Sequence, residues 1–154
     1  MKTELAEYDL SKLNKFVKEL ESGYAVDVGI FGAKKTKIER EDEHGGKSTI
    51  TNPELGYIHE MGIGVPMRSF LRMPLYLKSE EILKEVMKDG ALQKLAAGDV
   101  VGVLSDLGLE CEKAIAEAFE TGGYGDWKPN KKGTTTLIDT GQLRRSIASQ
   151  VVKI

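Results

Sequence analysis

The sequence predicts an α+β fold, in which a small antiparallel or mixed sheet packs against a long helix of the C-terminal half and against shorter helices. Three observations carry that prediction. From Tyr24 to Phe31, Tyr24, Val26, Val28 and Ile30 alternate with Ala25, Asp27, Gly29 and Phe31, the two-residue period of a strand, and Gly32 closes the run. From Val100 onward, apolar residues recur every three or four positions, at Val103, Leu104, Leu107, Cys111, Ala114, Ile115, Ala118 and Phe119, until Thr121-Gly122-Gly123 ends the pattern. From Ser146 to Ile154 the residues are again β-prone and partly alternating, suited to pairing with the early strand or with a neighbouring subunit.

Length and composition set the frame for these elements. The 154 residues suit a single domain over 1–154, and a chain of this size buries about 70% of the surface it exposes when unfolded. A net charge of -2 supplies no overall pull toward nucleic acid, so any basic site has to be local. The one cysteine, Cys111, cannot form an internal disulfide, and in a helical pattern it reads as a small hydrophobe. Met1-Lys2-Thr3-Glu4 lacks the apolar core of a signal peptide, and no apolar run approaches the ~20 residues that span a bilayer. These features point to synthesis in a reducing cytoplasm and to no membrane partner.

In chain order, Leu10, Leu13, Phe16, Val17 and Leu20 form one stripe of a helix from Asp9 to Glu21, which Gly23 stops before the first strand. Residues 33–47 carry both signs of charge and lead through His44-Gly45-Gly46-Lys47 into a β-prone run, the pattern of a mobile charged hairpin arm. Gly46-Lys47-Ser48 is a poor phosphate loop, because Glu41 stands where that motif needs its first glycine. Asn52-Pro53-Glu54 starts a helix with Asn52 as the expected cap, and Leu55, Ile58 and Met61 share one face up to Gly62. His59-Glu60 lacks the second histidine of a zinc-protease helix, so His59 reads as a packed residue. A helix over Leu77 to Met87 follows, with Leu77, Ile82, Leu83 and Val86 as its apolar residues and Asp89-Gly90 as its stop. A short helical piece spans Ala91 to Ala97, and Asp99 then caps the long helix.

Two stretches carry the functional reading. Val65-Pro66-Met67-Arg68-Ser69-Phe70-Leu71-Arg72-Met73-Pro74 is a corner held by prolines at both ends, with Phe70 and Leu71 as anchors and Arg68 and Arg72 on one side if a helical turn forms between them. Leu137-Ile138-Asp139-Thr140-Gly141-Gln142-Leu143-Arg144-Arg145-Ser146-Ile147 brings two apolar residues, a short turn for Asp139 or Thr140 to cap, and two arginines beside the closing strand. No nucleophile, acid-base pair or metal cluster accompanies either stretch, so we expect no catalytic residue, cofactor or metal. Between them, Trp127 and Tyr124 stand among Lys128, Lys131 and Lys132 in a glycine-rich loop. Aromatics beside lysines can stack on bases, which makes a nucleic-acid-binding module acting through the Lys128 to Lys132 loop the alternative function. The slightly negative net charge favours instead a Trp127 that packs locally or on a neighbouring subunit.

Together with Val26-Asp27-Val28-Gly29-Ile30 and Ile58-His59-Glu60-Met61-Gly62, these stretches resemble, in their order, the virion-morphogenesis proteins of long-tailed bacteriophages, the tail-completion or neck proteins of the head–tail junction. The resemblance implies a structural, non-enzymatic subunit, encoded by a phage or a prophage, that acts in tail completion or head–tail joining as a tail terminator or a neck ring. It also implies a homo-oligomeric ring, with six copies to match a six-fold tube, placed in the virion against tail-tube and head-connector proteins. The partner contacts expected on this basis are Arg68, Phe70, Leu71, Arg72, Arg144 and Arg145, and the loop adds Trp127 through its possible packing on a neighbouring subunit.

Overall fold

A computed structural model describes residues 23–32, 37–41, 46–128 and 141–154, together with 11, 14, 17, 18 and 21 of the N-terminal stretch. Residues 11, 14, 17, 18 and 21 are helical and exposed, and the other positions of that expected helix lie outside the described residues. Strand β1 (Tyr24–Ile30) is followed by β2 (Lys37–Glu41) and β3 (Lys47–Thr51), then by helices α1 (Asn52–Met61), α2 (Arg72–Leu77), α3 (Ser79–Lys88), α4 (Ala91–Ala96), α5 (Val100–Thr121) and α6 (Gln142–Arg145), and by strand β4 (Ile147–Lys153). The architecture is α+β, as the two periodicities predict.

β1 pairs with β4, antiparallel, in a register that sets Tyr24 opposite Lys153 and Ile30 opposite Ile147. Cross-strand partners share a face, so Val26, Val28 and Ile30 lie with Val151, Ser149 and Ile147. Helix α5 crosses that face closely. A Cβ on Gly108 would come within 2.6 Å of Ser149 Oγ and 3.1 Å of Val26 Cγ2, so the helix sits on the sheet only because this position has no side chain. The second pair, β2 with β3, is the hairpin expected over the charged arm, and Gly46-Lys47-Ser48 runs into its second strand, not into a phosphate-cradling turn.

The core gathers at the C-terminal end of α5. Phe70, Ile115, Phe119 and Leu143 form a buried cluster, and Val28, Ile30, Leu71, Leu75, Trp127 and Ile147 pack around it. Phe119 is central: its ring centroid lies 5.4 Å from Phe70 and 5.6 Å from Trp127, the latter edge-on at 83°. Rings at these separations and tilts gain beyond the area they bury. Gly56 lets α1 approach the same cluster, since a Cβ there would stand 2.7 Å from Ile30 Cδ1 and 3.3 Å from Phe70 Cζ.

The expected helix starts need two adjustments. Thr51, not Asn52, is the N-cap of α1: its hydroxyl accepts from Glu54 N at 3.4 Å, and Glu54 Oε2 accepts from Thr51 N at 2.8 Å, a reciprocal capping box. Asn52 is instead the first helical residue, buried, and donates from Nδ2 to Ser146 Oγ at 2.6 Å. The α5 cap falls where expected, with Asp99 Oδ1 accepting from Gly102 N at 2.8 Å. In α3 only Ile82 and Val86 are buried, whereas Leu77 and Leu83 are exposed. The chain breaks at Lys78 between α2 and α3, and that break puts Leu77 out of phase with the stripe.

Candidate functional site

The proline-flanked corner is clasped by one carboxylate. Glu60, buried in the last turn of α1, accepts from Ser69 Oγ at 2.7 Å, Leu71 N at 3.0 Å, Arg72 N at 3.2 Å and Arg72 Nε at 2.9 Å. Burial by itself would raise its pKa. The hydrogen bonds from Ser69, Leu71 and Arg72 outweigh that penalty and hold the carboxyl below its ordinary range. His59, beside it, is buried and accepts through its carbonyl from Arg68 N at 2.8 Å. The corner therefore folds back along α1, and residues 66–71 are not helical; α2 begins only at Arg72.

This arrangement distributes the expected contact residues between interior and surface. Arg68 is buried and donates from Nε and Nη2 to the carbonyl of Lys128, at 3.2 and 2.8 Å. Phe70 is wholly inside the core and Leu71 half-buried against it. Arg68 and Phe70 are thus spent on contacts within the chain, because the Glu60 clasp turns them inward. Arg72 keeps an exposed guanidinium, which also lies 3.8 Å from Met61 Sδ. Trp127 is half-buried on Phe119, the local packing of the two arrangements expected for it. Arg144 is exposed and pairs with Glu120 at the end of α5, and Arg145 is exposed on α6.

Trp127 reaches Phe119 through an unusual turn. Gly122, Gly123, Tyr124 and Gly125 all have positive φ, of 63°, 66°, 57° and 88°, four left-handed residues in succession. Glycine takes this conformation without strain; tyrosine does not. Tyr124 is held there by donating from its hydroxyl to the Ala114 carbonyl at 2.9 Å and from its amide to Thr121 Oγ1 at 3.0 Å, with Lys78 Nζ 5.3 Å from its ring centroid. Gly123 also makes room for the indole, since a Cβ there would lie 2.2 Å from Trp127 Nε1.

The closing stretch joins the same core. Leu143 is buried beside Phe70, and Ser146 Oγ, which accepts from Asn52, donates to the Gln142 carbonyl at 2.7 Å. Leu137, Ile138, Asp139 and Thr140 lie outside the described residues, and the residue preceding α6 is Gly141, which makes no side-chain cap. The two motif stretches thus meet in the buried cluster that holds Phe119.

No family model, curated protein or solved structure matches this chain.

Among the described residues no group of three or more His, Cys, Asp and Glu side chains is gathered to hold a metal, and no helix is long and apolar enough to cross a membrane. Cys111 is half-buried; burial pushes its thiol pKa up, with Glu110 and Glu112 adding to the rise, as befits a packing residue. Of the lysine cluster, Lys128 is described and exposed, while Lys131 and Lys132 lie outside the described residues. The sequence reading missed Glu60, Gly56 and Gly108. Glu60 has a signal in the sequence, a carboxylate eight or more residues ahead of a segment rich in amide and guanidinium donors, but there it stands only as half of the incomplete His59-Glu60 motif.

Proposed function

We propose that the chain is a structural subunit of a long-tailed phage or prophage virion, acting in tail completion or head–tail joining as a tail terminator or neck ring. The observation that carries this reading is the meeting of two stretches far apart in sequence. Phe70 of the proline-flanked corner and Leu143 of the closing segment, the two most specific parts of the resemblance, pack together with Phe119 in one buried cluster. Motifs that build a common structural unit support a shared scaffold more strongly than scattered similarities do. Around that unit Arg72, Arg144 and Arg145 stay at the surface, where guanidinium groups suit contacts with carboxylates and carbonyls of neighbouring subunits.

In this reading several copies form a ring on the symmetric end of a tail tube, between tail-tube and head-connector proteins. The test is particle assembly in a phage or prophage lacking the protein. Mature, filled heads beside separate tails are expected, and wild-type protein added to the extract should restore joined particles. Complete virions at normal yield would overturn the reading.

A further inference from the structure

The turn after α5 and the proline-flanked corner face each other across a groove of about 180 Å³. Met67, Met73 and Leu77 form one wall, and Tyr124, Asp126 and Trp127 the other. A cavity of about 150 Å³ takes one benzene ring, so the groove has room for a single side chain and not for a helix. Its walls are fixed from several sides. Arg68 holds the Lys128 carbonyl, Tyr124 Oη holds the Ala114 carbonyl, and Ser69 Oγ is bonded to Glu60 and to Met73 N. Tyr124 is, among the described residues, the one non-glycine with positive φ. Backbone of that kind costs energy and concentrates at ligand clamps; here the left-handed run turns the chain so that Asp126 and Trp127 face the corner. A groove with preset walls gives up little freedom when it is filled.

Asp126 is the one charged residue that lines the groove, and among the described residues its carboxylate has no hydrogen bond or ion pair. The neighbouring cations leave it so. Arg72 pairs with Glu60. Lys78, 5.3 Å from the Tyr124 ring centroid, pairs with Glu81 at 2.8 Å and Glu117 at 3.5 Å in a separate groove between α3 and α5. Lys128 is exposed and does not line the groove. Two aromatic rings, two thioethers and an unpaired carboxylate together suit a cation carried on an apolar stem. The rings attract the charge through their quadrupoles, Met67, Met73 and Leu77 pack on the stem, and the carboxylate accepts from the cation. An uncharged apolar side chain would leave Asp126 unanswered, and an acidic one would be repelled. Arginine fits better than lysine, because its planar, weakly hydrated guanidinium stacks on a ring and donates to a carboxylate at the same time.

We propose that the groove seats one arginine side chain of a partner protein, its stem between Met67 and Trp127 and its guanidinium on Asp126. This contact stands or falls independently of the ring reading above.

Trp127 is the only tryptophan of the chain, so its fluorescence and its single indole N–H resonance report on this groove. The probe is an acetylated, amidated alanine-arginine-alanine peptide, titrated into the protein at low salt. One seated side chain should bind with a Kd on the order of 1 mM and carry both Trp127 signals to saturation. The same peptide with citrulline, which keeps the shape and loses the charge, should bind at least tenfold more weakly, and a lysine peptide several-fold more weakly. Asp126→Asn should lower the affinity for the arginine peptide about tenfold and leave the thermal midpoint where it is, because this carboxylate bonds to nothing in the described fold. Met67→Lys, which brings an ammonium of its own to Asp126, should abolish binding and serves as the second variant should the first fold poorly. The proposal is wrong if no saturable shift appears up to about 20 mM peptide, if the citrulline peptide binds as well, if the lysine peptide binds more tightly, or if the folded variants bind like wild type.

Discussion

Glu60 occupies a position where a single proton matters. Both carboxylate oxygens accept, and their donors come from the segment that α1 must hold in place for Phe70 to reach the core. The folded carboxyl titrates below its unfolded value, which is ~4.3 in an open chain. Its contribution to stability is therefore complete above that unfolded value and is lost as pH falls through the lower folded one. Glu60→Gln should cost about 2–3 kcal/mol at neutral pH, because a buried amide meets donors with a donor of its own. It should also flatten the loss of stability below pH ~4.3, where the wild-type group gains its proton. Urea unfolding at pH 7 and pH 3 reads both effects; an unchanged acid slope in the variant would place the acid sensitivity elsewhere. Arg68 extends the same logic, since its planar guanidinium places two donors on one Lys128 carbonyl and so ties the corner to the loop that carries Trp127.

At the scale of elements, α1 shows how a local signal can be read one residue late. Asn52 is a good cap residue, yet Thr51-Asn52-Pro53-Glu54 is the spacing of a capping box, and the box decides the start. Thr51→Ala should cost about 1 kcal/mol in chemical denaturation while Thr51→Ser stays near neutral. Equal costs for both changes would mean that the hydroxyl is not the cap. The strand β1, the helix α5 with its Asp99 cap, and the stop at Gly122 were all legible, because each depends on periodicity and end signals within one segment. The antiparallel pairing of β4 with β1 was only one of two options, since alternation says which residues share a face and not which strand lies alongside. The corner was legible as a pinned turn, but the burial of Arg68 was not: a guanidinium goes inside only where a carbonyl is waiting, and that carbonyl is sixty residues away. Gly56 and Gly108 stayed silent for a related reason, as a missing side chain acquires meaning only from the neighbour that fills its place.

For the whole molecule, the sheet under α5 consists, among the described residues, of two strands from distant parts of the sequence. An isolated two-stranded ribbon is marginal in water, so β1 and β4 depend on α5 and on the Phe119 cluster as much as on each other. Removal of residues 147–154 should leave Val26, Val28 and Ile30 without their cross-strand partners and take Ile147 from the edge of the core. We expect such a chain to lose its cooperative thermal transition and its slowly exchanging amides in β1, as seen by circular dichroism and hydrogen exchange. Retention of both would show that α5 alone organises the domain. The pairing also orders events in time. β1 leaves the ribosome more than a hundred residues before its partner, and synthesis at ~5–20 residues per second leaves that strand waiting for several seconds. Helices can form during the wait, but this sheet is completed only when β4 follows, so a chain stopped before β4 carries β1 with an unpaired edge.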